Sequence, residues 1–99
     1  MAENVNARLE AVRGRIANNL KLLRGKQGMS QEALADRAGL HRTQLSQIER
    51  GRTNLMLDTL VSLAAALGVD EADLFQERDE KPTPLKSGRK RRTDTPASK

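Results

Sequence analysis

From Leu9 onward, apolar side chains return every three or four residues. Leu9, Val12, Ile16, Leu20 and Leu23 fall on one face of a helix. Residues 1–8 carry no such pattern and are expected to form a flexible N-terminus. Gly14 interrupts the stripe at modest cost, and the pattern stops near Gly25–Gly28. Ser30 then offers an N-cap with Glu32 in the first turn, opening a short helix whose inner face is Leu34, Ala35 and Ala38. Gly39 suits the left-handed residue that ends such a helix. Leu40 and His41 lead into a third helix anchored by Leu45 and Ile48 and ended by Gly51. After a loop at Arg52–Met56, the positions Leu57, Leu60, Val61, Leu63, Ala64 and Leu67 predict a largely buried fourth helix, closed by Gly68. Asp70 caps a last short helix over Glu71–Gln76 that offers Leu74 and Phe75. The pattern therefore predicts an all-α, five-helix domain over residues 9–76.

Composition agrees with that outline. The apolar fraction is 36% and Phe75 is the only aromatic, whereas a sheet domain of 99 residues would spend more on β-branched and aromatic side chains. Without cysteine there is neither a disulfide framework nor a thiolate metal site, and His41 alone makes no zinc site. The longest apolar run, Leu63–Val69, is far too short for a bilayer. No cofactor or small-molecule ligand is indicated, and the expected compartment is the cytoplasm, with the nucleoid.

The net charge of +5 is unevenly placed. Residues 1–69 hold ten Lys/Arg against six Asp/Glu, residues 70–80 one against six, and residues 81–99 seven against one. Much of the basicity thus lies in the segment 77–99. Its prolines and its Arg89-Lys90-Arg91-Arg92 run predict a disordered basic tail. Three roles stay open for that run: a phosphate-tracking arm, a partner-binding arm, or a solubilising tail.

The helix-glycine-helix pair over 30–50 changes the picture most. Its second helix sets Arg42, Thr43, Gln44, Ser46, Gln47 and Arg50 around only two large apolar anchors. That surface is more polar than packing requires. In a helix-turn-helix the second helix enters the major groove of double-stranded DNA.

At this point the sequence resembles the lambda-repressor-like (XRE) family, from about Arg15 to Phe75. The residues that carry the resemblance are Arg15-Ile16, Leu20, Leu23-Arg24, the run Gly28 to Ala35, Gly39-Leu40, the run Leu45 to Gly51, Leu60 to Val69, and Asp73-Leu74-Phe75. The resemblance implies that Arg42, Thr43 and Gln47, with Ser46 beside them, read bases. Arg pairs well with guanine, Gln with adenine, and a Thr methyl can meet that of thymine. It implies backbone contacts from Ser30 and Gln31 at a helix start, Gln31 also reaching a base edge, and backbone contacts from Arg52 and Asn54 in the following loop. Arg24 and Glu49 resemble a family pair in which a charge-assisted bond orients the reading helix.

The chain departs from the family pattern in two places. Leu55 and Met56 stand where the family has proline and a small hydroxyl, so the cap of the fourth helix is expected from Asn54 instead. His41 stands where the family favours Ser or Thr, either as a phosphate contact or as an exposed cap.

The outer end of the first stripe, Leu9 and Val12, lacks an evident partner within five helices, and Leu74 and Phe75 are candidates for a two-fold contact. Exposed apolar groups of this kind mark interfaces, so a homodimer on a palindromic operator is expected. The leading function is a sequence-specific transcriptional regulator, and the length leaves no room for a ligand-sensing domain. An antitoxin-like protein-interaction module and a non-specific nucleic-acid-binding protein are the alternatives. No acid–base pair, nucleophile arrangement, phosphate loop or metal cluster suggests an enzyme.

Overall fold

The structure, a computed structural model, describes residues 4–78. Four α-helices and one 3-10 turn follow one another: α1 Val5–Lys26, α2 Gln31–Ala38, α3 Arg42–Glu49, α4 Leu57–Leu67, and the turn Glu71–Leu74. The domain is all-α as expected, but the fifth helix is corrected to one turn of 3-10 helix that ends before Gln76. Asp70 starts it with a capping box: the Asp70 carboxylate accepts from the Ala72 N–H at 3.2 Å, and Asp73 accepts from the Asp70 N–H at 3.2 Å.

The first helix begins four residues earlier than the apolar stripe suggests. Asn4 caps it, its side-chain oxygen accepting from the Ala7 N–H at 3.1 Å. The stripe misses this start because residues 4–11 are all exposed, so no buried face imposes a periodicity there. The glycine stops behave as the sequence predicts where the chain must turn left-handed: Gly39 and Gly68 end α2 and α4 at φ 74° and 70°. The reading helix itself ends at Glu49, with Arg50 as its C-cap. The proposed tail is described only to Arg78, and residues 79–99 lie outside the described region.

One apolar core joins every element: Ile16 and Leu20 of α1, Leu34 of α2, Leu45 and Ile48 of α3, Leu60, Leu63 and Leu67 of α4, and Leu74. α2 packs on α3 and α4, α1 packs on α3, and the 3-10 turn bridges α1 and α4. Leu74 is fully buried, so its assignment as a two-fold contact is corrected: it closes the core. Asn19 holds it there. This fully buried side chain donates to the carbonyls of Leu74 at 2.9 Å and Gln76 at 2.8 Å. Sequence reasoning overlooked Asn19, although a polar residue between Ile16 and Leu20, on the buried side of a helix, is the signal of such a tie.

Gly14 has no such justification. It lies inside α1, is exposed, and a Cβ built on it would meet nothing within 4 Å. Gly14→Ala is therefore expected to stabilise the domain by about 0.5–1 kcal/mol through helix propensity and a less flexible unfolded chain. Thermal unfolding at fixed protein concentration should show a rise of a few degrees, and a fall would mean that the position is crowded.

Candidate DNA interface

α3 is a two-faced helix of eight residues. Leu45 and Ile48 are buried in the core, whereas Arg42, Thr43, Gln44 and Gln47 are exposed and Ser46 is half-buried. The four predicted base readers thus occupy one short helix, with nothing of the described chain covering three of them. His41 is the N-cap residue but makes no side-chain cap bond.

At the other end of α3 lies a polar cluster built around the buried Glu49. The Glu49 side chain is only 2% exposed and meets Arg24 of α1 in a two-pronged contact, Nε to Oε2 at 2.9 Å and Nη2 to Oε1 at 3.0 Å. Arg24 also donates from Nη1 to the Met29 carbonyl at 2.9 Å, tying in the α1–α2 turn. Gln31, the first residue of α2, donates from Nε2 to the same Glu49 Oε1 at 3.0 Å. Three elements therefore converge on one carboxylate, and a planar guanidinium fork fixes its orientation as well as its distance. The charge-assisted bond expected between Arg24 and Glu49 is present.

The residues expected at the DNA backbone divide. Ser30 is the N-cap of α2, its hydroxyl oxygen accepting from the Ala33 N–H at 3.0 Å, so only its hydroxyl proton is left to offer. Gln31 spends one amide N–H on Glu49 and keeps the other. Arg52 is exposed in the α3–α4 loop. Asn54 does not cap α4: Met56 is the N-cap residue, without a side-chain bond, and Asp58 supplies the only acidic charge in that first turn. The Asn54 oxygen instead accepts two N–H bonds from Arg13 of α1, from Nε at 3.0 Å and from Nη2. That contact spans 41 residues, and no local pattern announces it.

A second surface lies beside this loop. Leu9, Val12, Ile16, Leu55, Leu60 and Phe75 line an open groove of about 320 Å³, with Arg13 and Asn54 at its polar edge. Leu57, 75% exposed, also lines it, as does Phe75 at 41%, and Met56 and Val61 are exposed on the same helix or its start. Among the described residues no helix is long and apolar enough to cross a membrane.

Comparison with known proteins gives this geometry its context. The profile of the helix-turn-helix family HTH_3 matches residues 20–74. The control protein C.BamHI of Bacillus amyloliquefaciens is 44% identical over 69 residues, spanning 61% of this chain and 85% of that protein. The crystal structure of the restriction-modification controller protein C.AhdI from Aeromonas hydrophila superposes with a TM-score of 0.63 at 37% identity, covering 66% of this chain and 98% of that one. The immunity repressor of Bacillus phage phi105 is 36% identical over 62 residues, 63% of this chain but only 43% of that protein. The α2–α3 pair, the exposed polar face of α3 and these relatives agree, and the chain belongs to the HTH_3 (XRE) family of helix-turn-helix, DNA-binding transcriptional regulators, which are not enzymes.

Proposed function

We propose that the protein is a sequence-specific regulator that lays α3 in the major groove and binds a palindromic operator as a homodimer. The observation that carries this reading is the division of labour on α3: Arg42, Thr43 and Gln47 are exposed on a helix whose angle is held by the buried Arg24–Glu49–Gln31 cluster. A side chain reads a base only if its Cα is held in register, and backbone contacts then set the register without reading sequence. Gln31 and Arg52 are suited to those contacts. Work on the chromosome would place the protein in the cytoplasm, with the nucleoid.

The groove face supports the dimer. Highly exposed Leu57 forms part of the rim of the concave apolar surface, so one face carries both a projecting side chain and a hollow. A two-fold axis through such a face lets each copy fill the other. Two reading helices would then be presented about one DNA turn apart, roughly 34 Å. This reassigns the interface from Leu74 to the rim of Leu9, Leu57 and Phe75.

The test is selection of preferred duplexes from a random pool with the full chain, followed by footprinting and titration of the winner. Two half-sites in palindromic register are expected. Gln47→Ala should then weaken the selected duplex by about 1–3 kcal/mol and relax one base preference. Equal loss on every sequence would remove Gln47 from the readers, and equal competition by random DNA would overturn specific regulation altogether.

A further inference from the structure

The loop that follows the reading helix packs Leu55 on the core and also meets α1 at two further points, one of them a polar contact that helix capping does not require. At Gly51 the chain turns at φ 71° directly over α1: a Cβ placed there would lie 3.7 Å from the Arg13 carbonyl oxygen and from the Gly14 Cα, and 3.8 Å from the Ala17 Cβ. Three residues later Arg13 reaches from the same stretch of α1 to the Asn54 oxygen with two N–H groups. The other hydrogen bonds described for the loop are local, among them those from the Gly51 N–H to the Ile48 carbonyl at 3.0 Å, from the Arg52 N–H to the Gln47 carbonyl at 3.4 Å and from the Thr53 hydroxyl to the Asn54 carbonyl at 3.3 Å. These fix the shape of the loop but not its place on the domain. Packing of Leu55 on the core and the close approach at Gly51 seat the loop, the Arg13–Asn54 contact adds a directional tie to α1, and Arg52 lies between Gly51 and Asn54.

We propose that Arg13 is a positioning residue of the DNA interface, acting through Asn54 to hold the α3–α4 loop on α1 so that Arg52 meets the DNA backbone in register. Asn54 is thereby the receiver of the latch and does not itself bind phosphate. The proposal rests on the DNA-binding reading above, including the contact from Arg52. Two roles for Arg13 make opposite predictions. As a phosphate ligand it would act independently of Arg52 and Asn54. As a latch it acts only through them.

The experiment titrates the duplex selected by the wild-type chain against full-length variants over a range of salt, with thermal unfolding and sedimentation as controls. Arg13→Ala and Asn54→Ala are each expected to weaken binding about three- to tenfold, the size of one ordinary hydrogen bond at a solvent-exposed contact. Each should also lower the salt slope by about one, the share of one phosphate contact. The Asn54 result is the distinctive one, since removing an uncharged side chain lowers the slope only by releasing a charged neighbour. In an Arg52→Ala background, Arg13→Ala should have no further effect. If the Arg13 and Arg52 losses add, with slopes falling by about two together, Arg13 binds phosphate in its own right and the proposal fails. If Asn54→Ala leaves affinity and slope unchanged, the latch has no function. Because Arg13 and Asn54 also edge the groove, a variant that becomes monomeric in sedimentation would likewise overturn positioning as the cause. Should Arg13→Ala fail to fold, Asn54→Ala decides the matter, as its side chain is exposed. A wild-type chain without sequence preference would defeat the underlying DNA-binding reading, an outcome separate from all of these.

Discussion

Glu49→Ala is expected to lower the unfolding free energy by about 3 kcal/mol, a large part of the roughly 5–15 kcal/mol that holds a domain folded. The carboxylate accepts from both Arg24 and Gln31 in a site where its own side chain is 2% exposed and that of Arg24 13%. Without it, a nearly enclosed guanidinium keeps only the Met29 carbonyl, and the Gln31 amide loses its acceptor. The cost comes mainly from stranding the remaining charge, because a buried ion pair contributes little net stability while both partners are present. Urea unfolding at fixed protein concentration measures it.

The paired replacement Arg24→Met with Glu49→Leu separates stability from orientation. Removing both charges together should leave stability within about 1.5 kcal/mol of the parent, since apolar side chains of similar volume can fill the site. Operator affinity should nevertheless stay weakened, because no directional bond then sets the angle between α3 and the two helices before it. A double variant that reads the selected duplex as well as the parent would show that packing alone orients the helix.

The second large effect is expected on assembly. Leu57→Asp should convert the proposed dimer to a monomer and weaken binding to a palindromic duplex by about 10²- to 10⁴-fold, through loss of the second, effectively intramolecular, half-site. Folding of the protomer should hardly change. Leu57 is 75% exposed, and it is the first residue of α4, where an acidic side chain suits the helix dipole. Sedimentation at micromolar concentration and titration of the same duplex follow the two consequences. An unchanged dimer would place the interface elsewhere, and a monomer with full palindrome affinity would dismiss avidity.

The two elements that form the motif were legible because their signals are local. Ser30 and Gly39 bracket α2, and Leu45 and Ile48 mark the inner side of α3, since a cap needs only residues three apart and a helix face only three or four. The polar outer face of α3 was legible for the same reason: what is not needed for the core on so short a helix stands in plain view.

Three assignments went beyond the reach of that local pattern. Leu74 and Phe75 are neighbours on a single turn, where no periodicity separates inside from outside. Packing between α1 and α4, with the Asn19 bonds to the Leu74 and Gln76 carbonyls, buries one and leaves the other 41% exposed. The start of α1 was missed because exposed helical turns need no apolar repeat, although Asn4 offered a cap. Asn54 could serve as a cap, a phosphate contact or a partner for a distant side chain, all consistent with one exposed amide.

By itself, then, the amino-acid sequence determined the all-α class, the α2–α3 motif and the identity of the exposed side chains on α3, since each is governed by residues within about one helical turn of one another. Only the tertiary structure decided which side chain meets Asn54, which apolar residues stay exposed and which groups meet the Glu49 carboxylate. Those outcomes depend on contacts between residues 18 to 57 positions apart, which exist only once the helices have packed.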